Sequence, residues 1–209
     1  MKKRIRTHAN PLRTFPGLEP PAWNEVFADP ALPLAIEWGA SKGGFLLEHA
    51  RTRPGMNILG TEVRKPLVEE LLEKIGAAQL RNAHVLWGNI AGRIRDFTPN
   101  RRIDAAYLFF PDPWPKKRHH KRRVLSTSFL DELALLMPPG SRIYIMTDHE
   151  GLHGGILETI ASHPAFLFSE GWNLEIRSEW EDHCLRTGRM YWKEAFARRS
   201  DLRSPRVLL

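Results

Sequence analysis

Residues 111–123 read Pro-Asp-Pro-Trp-Pro-Lys-Lys-Arg-His-His-Lys-Arg-Arg. Each proline fixes its own φ at about −65° and disfavours helix in the residue before it, so Asp112 and Trp114 are expected on a stiff, extended loop. Every residue from Lys116 to Arg123 is basic or His. The apolar run in front of the loop, Ala105 to Phe110, reads as a buried strand. A rigid carboxylate at the end of a central strand, beside a cationic string, predicts chemistry performed on a polyanion. A charge run by itself is usually a solvated face. The Pro-Asp-Pro-Trp-Pro segment ahead of it tips the reading towards function.

Further polar groups stand where other strands are expected to end. Glu37 closes an apolar run and is followed by Gly39-Ala40-Ser41-Lys42-Gly43-Gly44, whose glycines permit a tight turn and close approach of a ligand. Glu62 ends the next strand, where a carboxylate can accept both hydroxyls of a ribose. Asn89 follows the third and can bond an adenine edge. Thr147-Asp148 ends the fifth. In open α/β sheets ligands bind beyond the carboxyl ends of the strands, where the topology switches direction. The glycine segment has neither the GxGxxG spacing of dinucleotide enzymes nor the Walker spacing, which argues against a nucleotide-dependent oxidoreductase. A sulfonium nucleoside has no pyrophosphate and needs ribose, base and amino-acid contacts instead.

The elements that must position these groups alternate along the chain. Strands are expected at 34–38, 58–62, 84–87, 103–110 and 142–146, with two more near 166–176 and 190–197. Helices are expected from about 44 to 53, from Pro66 with Leu67, Leu71, Leu72 and Ile75 on one face, over 128–137 with Phe129, Leu133 and Leu136 inward, and over about 150–162. This order predicts an α/β fold, a mainly parallel seven-stranded sheet with helices on both faces. Residues 1–33, basic and rich in proline, read as an N-terminal arm on a single domain spanning 34–209.

The chain has 209 residues and a net charge of +7, enough length for one full core. Positive charge gathers at Lys2, Lys3, Arg4, Arg6 and Arg13, in the 116–123 run, and at Arg198, Arg199, Arg203 and Arg206. Cys184 is the sole cysteine, so an intrachain disulfide is excluded and a reducing compartment fits. The N-terminus lacks the apolar core of a secretory signal, and no apolar stretch approaches bilayer length. A cytoplasmic location is expected. His119 and His120 are adjacent rather than four apart and no Cys pair joins them, so no metal site is expected. His183-Cys184 is read as a pair of strand neighbours facing opposite ways, with Cys184 inert.

These residues resemble the tRNA (guanine-N7-)-methyltransferase family. The most specific match is Phe109 through Arg123, almost the family's own loop. Arg6-Thr7-His8-Ala9-Asn10-Pro11-Leu12 is similar to its N-terminal motif, and Thr147-Asp148 and Ser178-Glu179-Trp180-Glu181 fall where it has Thr-Asp and Thr-x-x-Glu. The resemblance implies a class I SAM-dependent methyltransferase (Rossmann-like) fold and S-adenosyl-L-methionine (SAM) as methyl donor. It implies 7-methylguanosine in the variable loop of tRNA as the product. By that pattern Glu37, Gly39, Gly43, Glu62, Asn89 and Asp112 line the donor side, Asp112 being the catalytic carboxylate. Lys116, Asp148, Ser178 and Glu181 hold the guanosine, while Arg118, His119, His120, Lys121, Arg122 and Arg123 touch RNA. Ser41 stands where the family usually has Gly, and Trp38 where it commonly has a small aliphatic residue.

The implied chemistry suits these residue types. Guanine N7 carries no proton to remove, so the main task is alignment of N7, the methyl carbon and the leaving sulfur. Methylation moves positive charge onto the purine, which a nearby carboxylate stabilises as it develops. Asp112, Asp148 and Glu181 are the candidates. tRNA is the expected partner, to a monomer or a homodimer. The competing reading is a non-catalytic RNA-binding module with a degraded SAM site.

Overall fold

The computed structural model describes residues 10–11, 15–98 and 102–200. The basic residues at 2–6, Arg13, Arg203 and Arg206, and most of the motif beginning at Arg6, lie outside the described residues. In chain order the elements are α1 (Trp23–Val26), β1 (Leu34–Trp38), α2 (Gly44–Thr52), β2 (Asn57–Glu62), α3 (Lys65–Ala77), β3 (Ala83–Trp87), β4 (Ala105–Phe109), α4 (Thr127–Leu136), β5 (Arg142–Thr147), α5 (Glu150–Ala161), β6 (Phe166–Phe168), α6 (Glu179–Thr187) and β7 (Trp192–Arg198). Short 3-10 helices cover Ile94–Phe97 and Lys117–Arg122.

The strands form one sheet in the order β3-β2-β1-β4-β5-β7-β6. β1 pairs in parallel with both β2 and β4, so the chain leaves β1 towards one edge and returns on its other side. Trp38 sits level with Thr61 and Leu108 at that divide. The carboxyl ends of β1 and β4 therefore flank the switch point, where an α/β sheet opens a crevice. β7 runs antiparallel to β5, with Trp192 level with Thr147. The beginning of β7 thus reaches the same rim as the ends of the parallel strands.

Alternating side chains feed two cores. Leu34, Ile36 and Trp38 of β1 join α4 and α5 on one face, and Ala35 joins α2 and α3 on the other. Helices accordingly cover both faces, as expected. Phe27, just after α1, is fully buried in the first core. Among the described residues no helix is long and apolar enough to cross a membrane.

Several expectations need correction. On α3 the inward stripe is Leu67, Val68, Leu71 and Ile75, while Leu72 is 38% exposed, because Val68 rather than Leu72 completes the 3.6-residue spacing. The sixth strand stops at Phe168. Trp172, Leu174 and Ile176 continue its alternation but pack on the second core without a strand to pair with. Residues 179–187 form a helix, so His183 and Cys184 are helical neighbours. The signal was the spacing Ser178-x-x-Glu181: the Ser178 hydroxyl caps α6 by accepting from Glu181 N–H at 3.1 Å.

Candidate active site

The loop after β4 is not uniformly extended. Phe110 and Trp114 adopt φ of 46° and 41°, in the left-handed region. Pro115 bars Trp114 from the right-handed helical region. Its indole lies under the Arg122 guanidinium, 4.8 Å from the ring centre, and against the edge of His119. Arg123 Nε–H donates to Pro113 O at 3.0 Å. The 3-10 helix therefore folds part of the cationic run back on the loop. Arg118, His120 and Lys121 remain exposed, with Arg118 Nε–H donating to His119 Nε2 at 3.3 Å.

Two adjoining cavities occupy the rim of the sheet. One, about 490 Å³, is bordered by Glu62, Arg64, Asn89, Asp112 and Asp148, among others. The other, about 570 Å³, is bordered by Glu37, Lys42, Ser178 and Glu179. Gly39, Ser41, Phe109, Phe110 and Trp180 line both, so the two are parts of one hollow.

Glu37 is only 4% exposed, and among the described residues its Oε2 has no hydrogen-bond partner. Burial first, then the negative charges of Glu62 and Glu179, push its carboxyl up to about 8. Both oxygens of Glu62, by contrast, are hydrogen-bonded. Its Oε1 accepts from Arg64 N–H and Nε–H, both at 2.9 Å, and its Oε2 from Arg64 Nη2 at 2.8 Å and Ser41 N–H at 3.0 Å. Hydrogen bonding to Glu62 is the largest cause that raises the Arg64 pKa, and Asp112 adds a smaller electrostatic contribution.

The turn between β1 and α2 uses left-handed backbone at Gly39, Ser41 and Gly43. At Gly43 φ is 82° and a Cβ would lie 2.1 Å from Leu71 Cδ1, so a larger residue would strain the turn and displace Leu71 of α3. Ser41 tolerates φ of 52° while its N–H is held by Glu62. Asn89 donates from Nδ2 to Pro11 O at 3.2 Å and accepts from Ala91 N–H at 3.0 Å. Its amide thus turns towards the chain itself, and Pro11 forms part of the cavity wall.

On the opposite wall, Asp148 Oδ2 accepts from Trp180 Nε1–H at 3.1 Å and pairs with Arg189 Nε at 2.6 Å. Glu181 is 1% exposed, accepts from the Tyr191 hydroxyl at 3.1 Å and pairs with Lys193. Gly43, Lys116 and Glu181 border neither cavity, whereas Ser178 borders one. The hollow thus gathers Glu37, Gly39, Glu62, Asn89, Asp112, Asp148 and Ser178 out of the residues that the sequence singles out. It also contains Arg64, Trp180 and Arg189, which sequence reasoning passed over. Among the described residues no group of three or more His, Cys, Asp or Glu is arranged to hold a metal ion.

A family model described as "Putative methyltransferase" matches residues 31–193. A relative from Thermosynechococcus vestitus is 36% identical over 168 residues, covering 79% of each chain. One from Synechococcus sp. is 33% identical over 204 residues, 92% of this chain and 86% of its own. One from Nitrosococcus oceani is 35% identical, covering 79% of this chain and 72% of its own. All three are named tRNA (guanine-N(7)-)-methyltransferase.

The chain belongs to the tRNA (guanine-N(7)-)-methyltransferase family.

Solved structures share the fold at low identity. TrmN from Thermus thermophilus superimposes with a TM-score of 0.57 at 19% identity, over 81% of this chain and 45% of that one. A putative methyltransferase from Streptococcus mutans, in complex with SAH, gives 0.55 at 10% identity, over 79% and 88%. The fold is that of class I SAM-dependent methyltransferases. Within this tRNA (guanine-N(7)-)-methyltransferase family member, the unusual Trp38 is buried and packs edge-on against Phe129 at 4.9 Å. Among the described residues its indole N–H has no partner.

Proposed function

We propose that this chain transfers a methyl group from SAM to N7 of a guanosine in the variable loop of tRNA, giving 7-methylguanosine. The observation that carries the reading is Glu37: a buried carboxyl whose Oε2 has no partner among the described residues, in a cavity that shares lining residues with the one bordered by Asp112 and Asp148. An uncommitted buried acid is costly without a ligand to satisfy it. The amino group of SAM is a ligand of the right charge.

The residues present fit the donor. When bound, SAM supplies an electrophilic methyl group on a sulfonium. Glu37 binds the donor's ammonium, while the Gly39–Gly43 turn lets the main chain approach it. Glu62 faces the ribose, although its oxygens already hold Arg64 and Ser41, so Arg64 supports the same contact. Asn89 borders the base. Asp112 stabilises the positive charge that the guanine gains, from the end of the strand that flanks the switch point. Asp148 and Ser178 border the guanosine side, and Glu181 acts from beneath through Lys193 and Tyr191. Lys116 and the exposed Arg118, His120 and Lys121 grip phosphate, whereas Arg122 and Arg123 brace the loop that carries Asp112.

The proposal keeps residues 1–33 as an arm, seated on a single domain through the buried Phe27, with tRNA as partner and the cytoplasm as compartment. A non-catalytic RNA-binding module is disfavoured, because a degraded donor site has no reason to keep Glu37 buried and uncommitted. The test is transfer from labelled SAM to an unmodified tRNA transcript, with the site located by borohydride and aniline cleavage. Labelled tRNA that resists cleavage, or an absence of label, overturns the reading.

A further inference from the structure

Trp180 stands in the first turn of α6, lines both cavities and is 45% exposed. An exposed tryptophan alone would call for no explanation. This one is held in a fixed attitude. Its Nε1–H donates to Asp148 Oδ2 at 3.1 Å, and the His183 imidazole packs against the ring, 4.7 Å away between centroids and tilted by 32°. Asp148 is anchored in turn by Arg189. An oriented aromatic surface is thus built into the wall of the hollow that Asp112 also borders.

Resting on the reading that guanine N7 is the acceptor, we propose that the target purine stacks on Trp180, whose indole face stabilises the positive charge that methylation places on the ring. In the transfer the N7 lone pair forms a bond to the methyl carbon as the sulfur–methyl bond breaks, and that bond's electrons return to sulfur. The sulfonium becomes a neutral thioether, the purine becomes cationic, and no proton moves. The negative face of an indole attracts a cation more than a neutral ring. The contact therefore strengthens as the reaction proceeds, which is the condition for accelerating it. By this argument Trp180 is a catalytic residue, acting on the face of the base, with carboxylates available at its edge.

The test compares Trp180→Phe with Trp180→Leu in single turnover on unmodified tRNA, with SAH affinity measured alongside. Both variants lose the N–H bond to Asp148, but only phenylalanine keeps an aromatic face. Phenylalanine is expected to stay within about threefold of the normal rate and leucine to fall about tenfold or more, with SAH affinity unchanged in both. The SAH-bound wild-type protein should also bind 7-methylguanosine 5′-monophosphate more tightly than guanosine 5′-monophosphate, and Trp180→Phe should show a smaller preference. A normal rate for leucine, or an equal loss in both variants, overturns the stacking role. If leucine prevents folding, the nucleotide comparison decides, and absence of a wild-type preference overturns the proposal. Wild-type methylation at an atom other than guanine N7 refutes the underlying reading instead.

Discussion

Glu37, one residue before the end of β1, and Glu62, the last residue of β2, lie on neighbouring strands, and the charge of Glu62 makes it harder for Glu37 to ionise. Arg64 pairs with Glu62, whereas among the described residues Glu37 Oε2 has no hydrogen-bond partner. The pair is therefore asymmetric: one carboxylate bound to a guanidinium, and one carboxyl that burial and its acidic neighbours favour in the protonated form.

Donor binding should release a proton. At pH 7 the Glu37 carboxyl, shifted to about 8, is mostly protonated, and an arriving ammonium favours its anion. Titration with SAH in buffers of different ionisation enthalpy should show release of about one proton. Glu37→Gln should bind more weakly and release none. Equal proton release by the variant would exclude Glu37 as the source.

The same shift fixes the sign of a stability change. Glu37 ionises at 4.5 when unfolded and at about 8 when folded, so between these values the native state holds a proton that the unfolded chain has lost. Its contribution is fully present below pH 4.5 and declines as pH rises through 8. Thermal denaturation of Glu37→Gln should lack this component, giving a flatter profile from pH 5 to 8 than the wild type.

Asp112→Ala should slow the chemical step by about 100-fold or more, as expected on losing a group aimed at developing charge. SAH affinity should change little. Single-turnover rates with saturating tRNA separate chemistry from binding, and a near-normal rate would reassign the catalytic carboxylate.

The cationic run should divide into two functional classes. Replacing the exposed Arg118 and Lys121 with alanine should weaken tRNA binding and lower the salt slope by about one for each phosphate that is no longer neutralised. Replacing Arg122 and Arg123, which hold Trp114 and Pro113, should also depress the rate at saturating tRNA. Filter binding at several salt concentrations, beside turnover assays, distinguishes the two. Identical behaviour of both pairs would contradict the division.

Ser41→Gly should stabilise the protein. Glycine removes the cost of φ 52° while keeping the N–H that Glu62 accepts. A gain of about 1 kcal/mol corresponds to about 2–4 °C in Tm for a chain of this size. A fall in Tm would show that the side-chain contact between Ser41 Oγ and Arg64 outweighs the backbone term.

The alternation of apolar runs and turn residues made the mainly parallel sheet and both helical layers legible in the sequence. Acidic residues closing apolar strands marked the rim, because strand ends at a switch point have few other reasons to carry them. What stayed hidden depends on side-chain direction across loops. Arg64 lies two residues past Glu62, and nothing in that spacing says that its guanidinium folds back on the carboxylate. α6 was concealed by its polarity, since only Glu181 and Cys184 of its nine residues are buried. Glu181 looked like a ligand from its motif, yet its helical position turns it inward to Lys193. Residues 169–176 alternate like a strand, but after the Ser169 N–H bond to Ala195 O the chain leaves β7, and Trp172, Leu174 and Ile176 pack on the second core instead.

Because β7 runs backwards, Tyr191 and Lys193, which secure Glu181, arrive at the rim from almost the far end of the described chain. The proposed site draws its residues from positions 37 to 193, and so from both halves of the polypeptide. A protein cut short before Arg189 would strip the counter-ions from both Asp148 and Glu181 at one stroke. Loss of this last segment should therefore abolish activity even where the donor's own pocket survives.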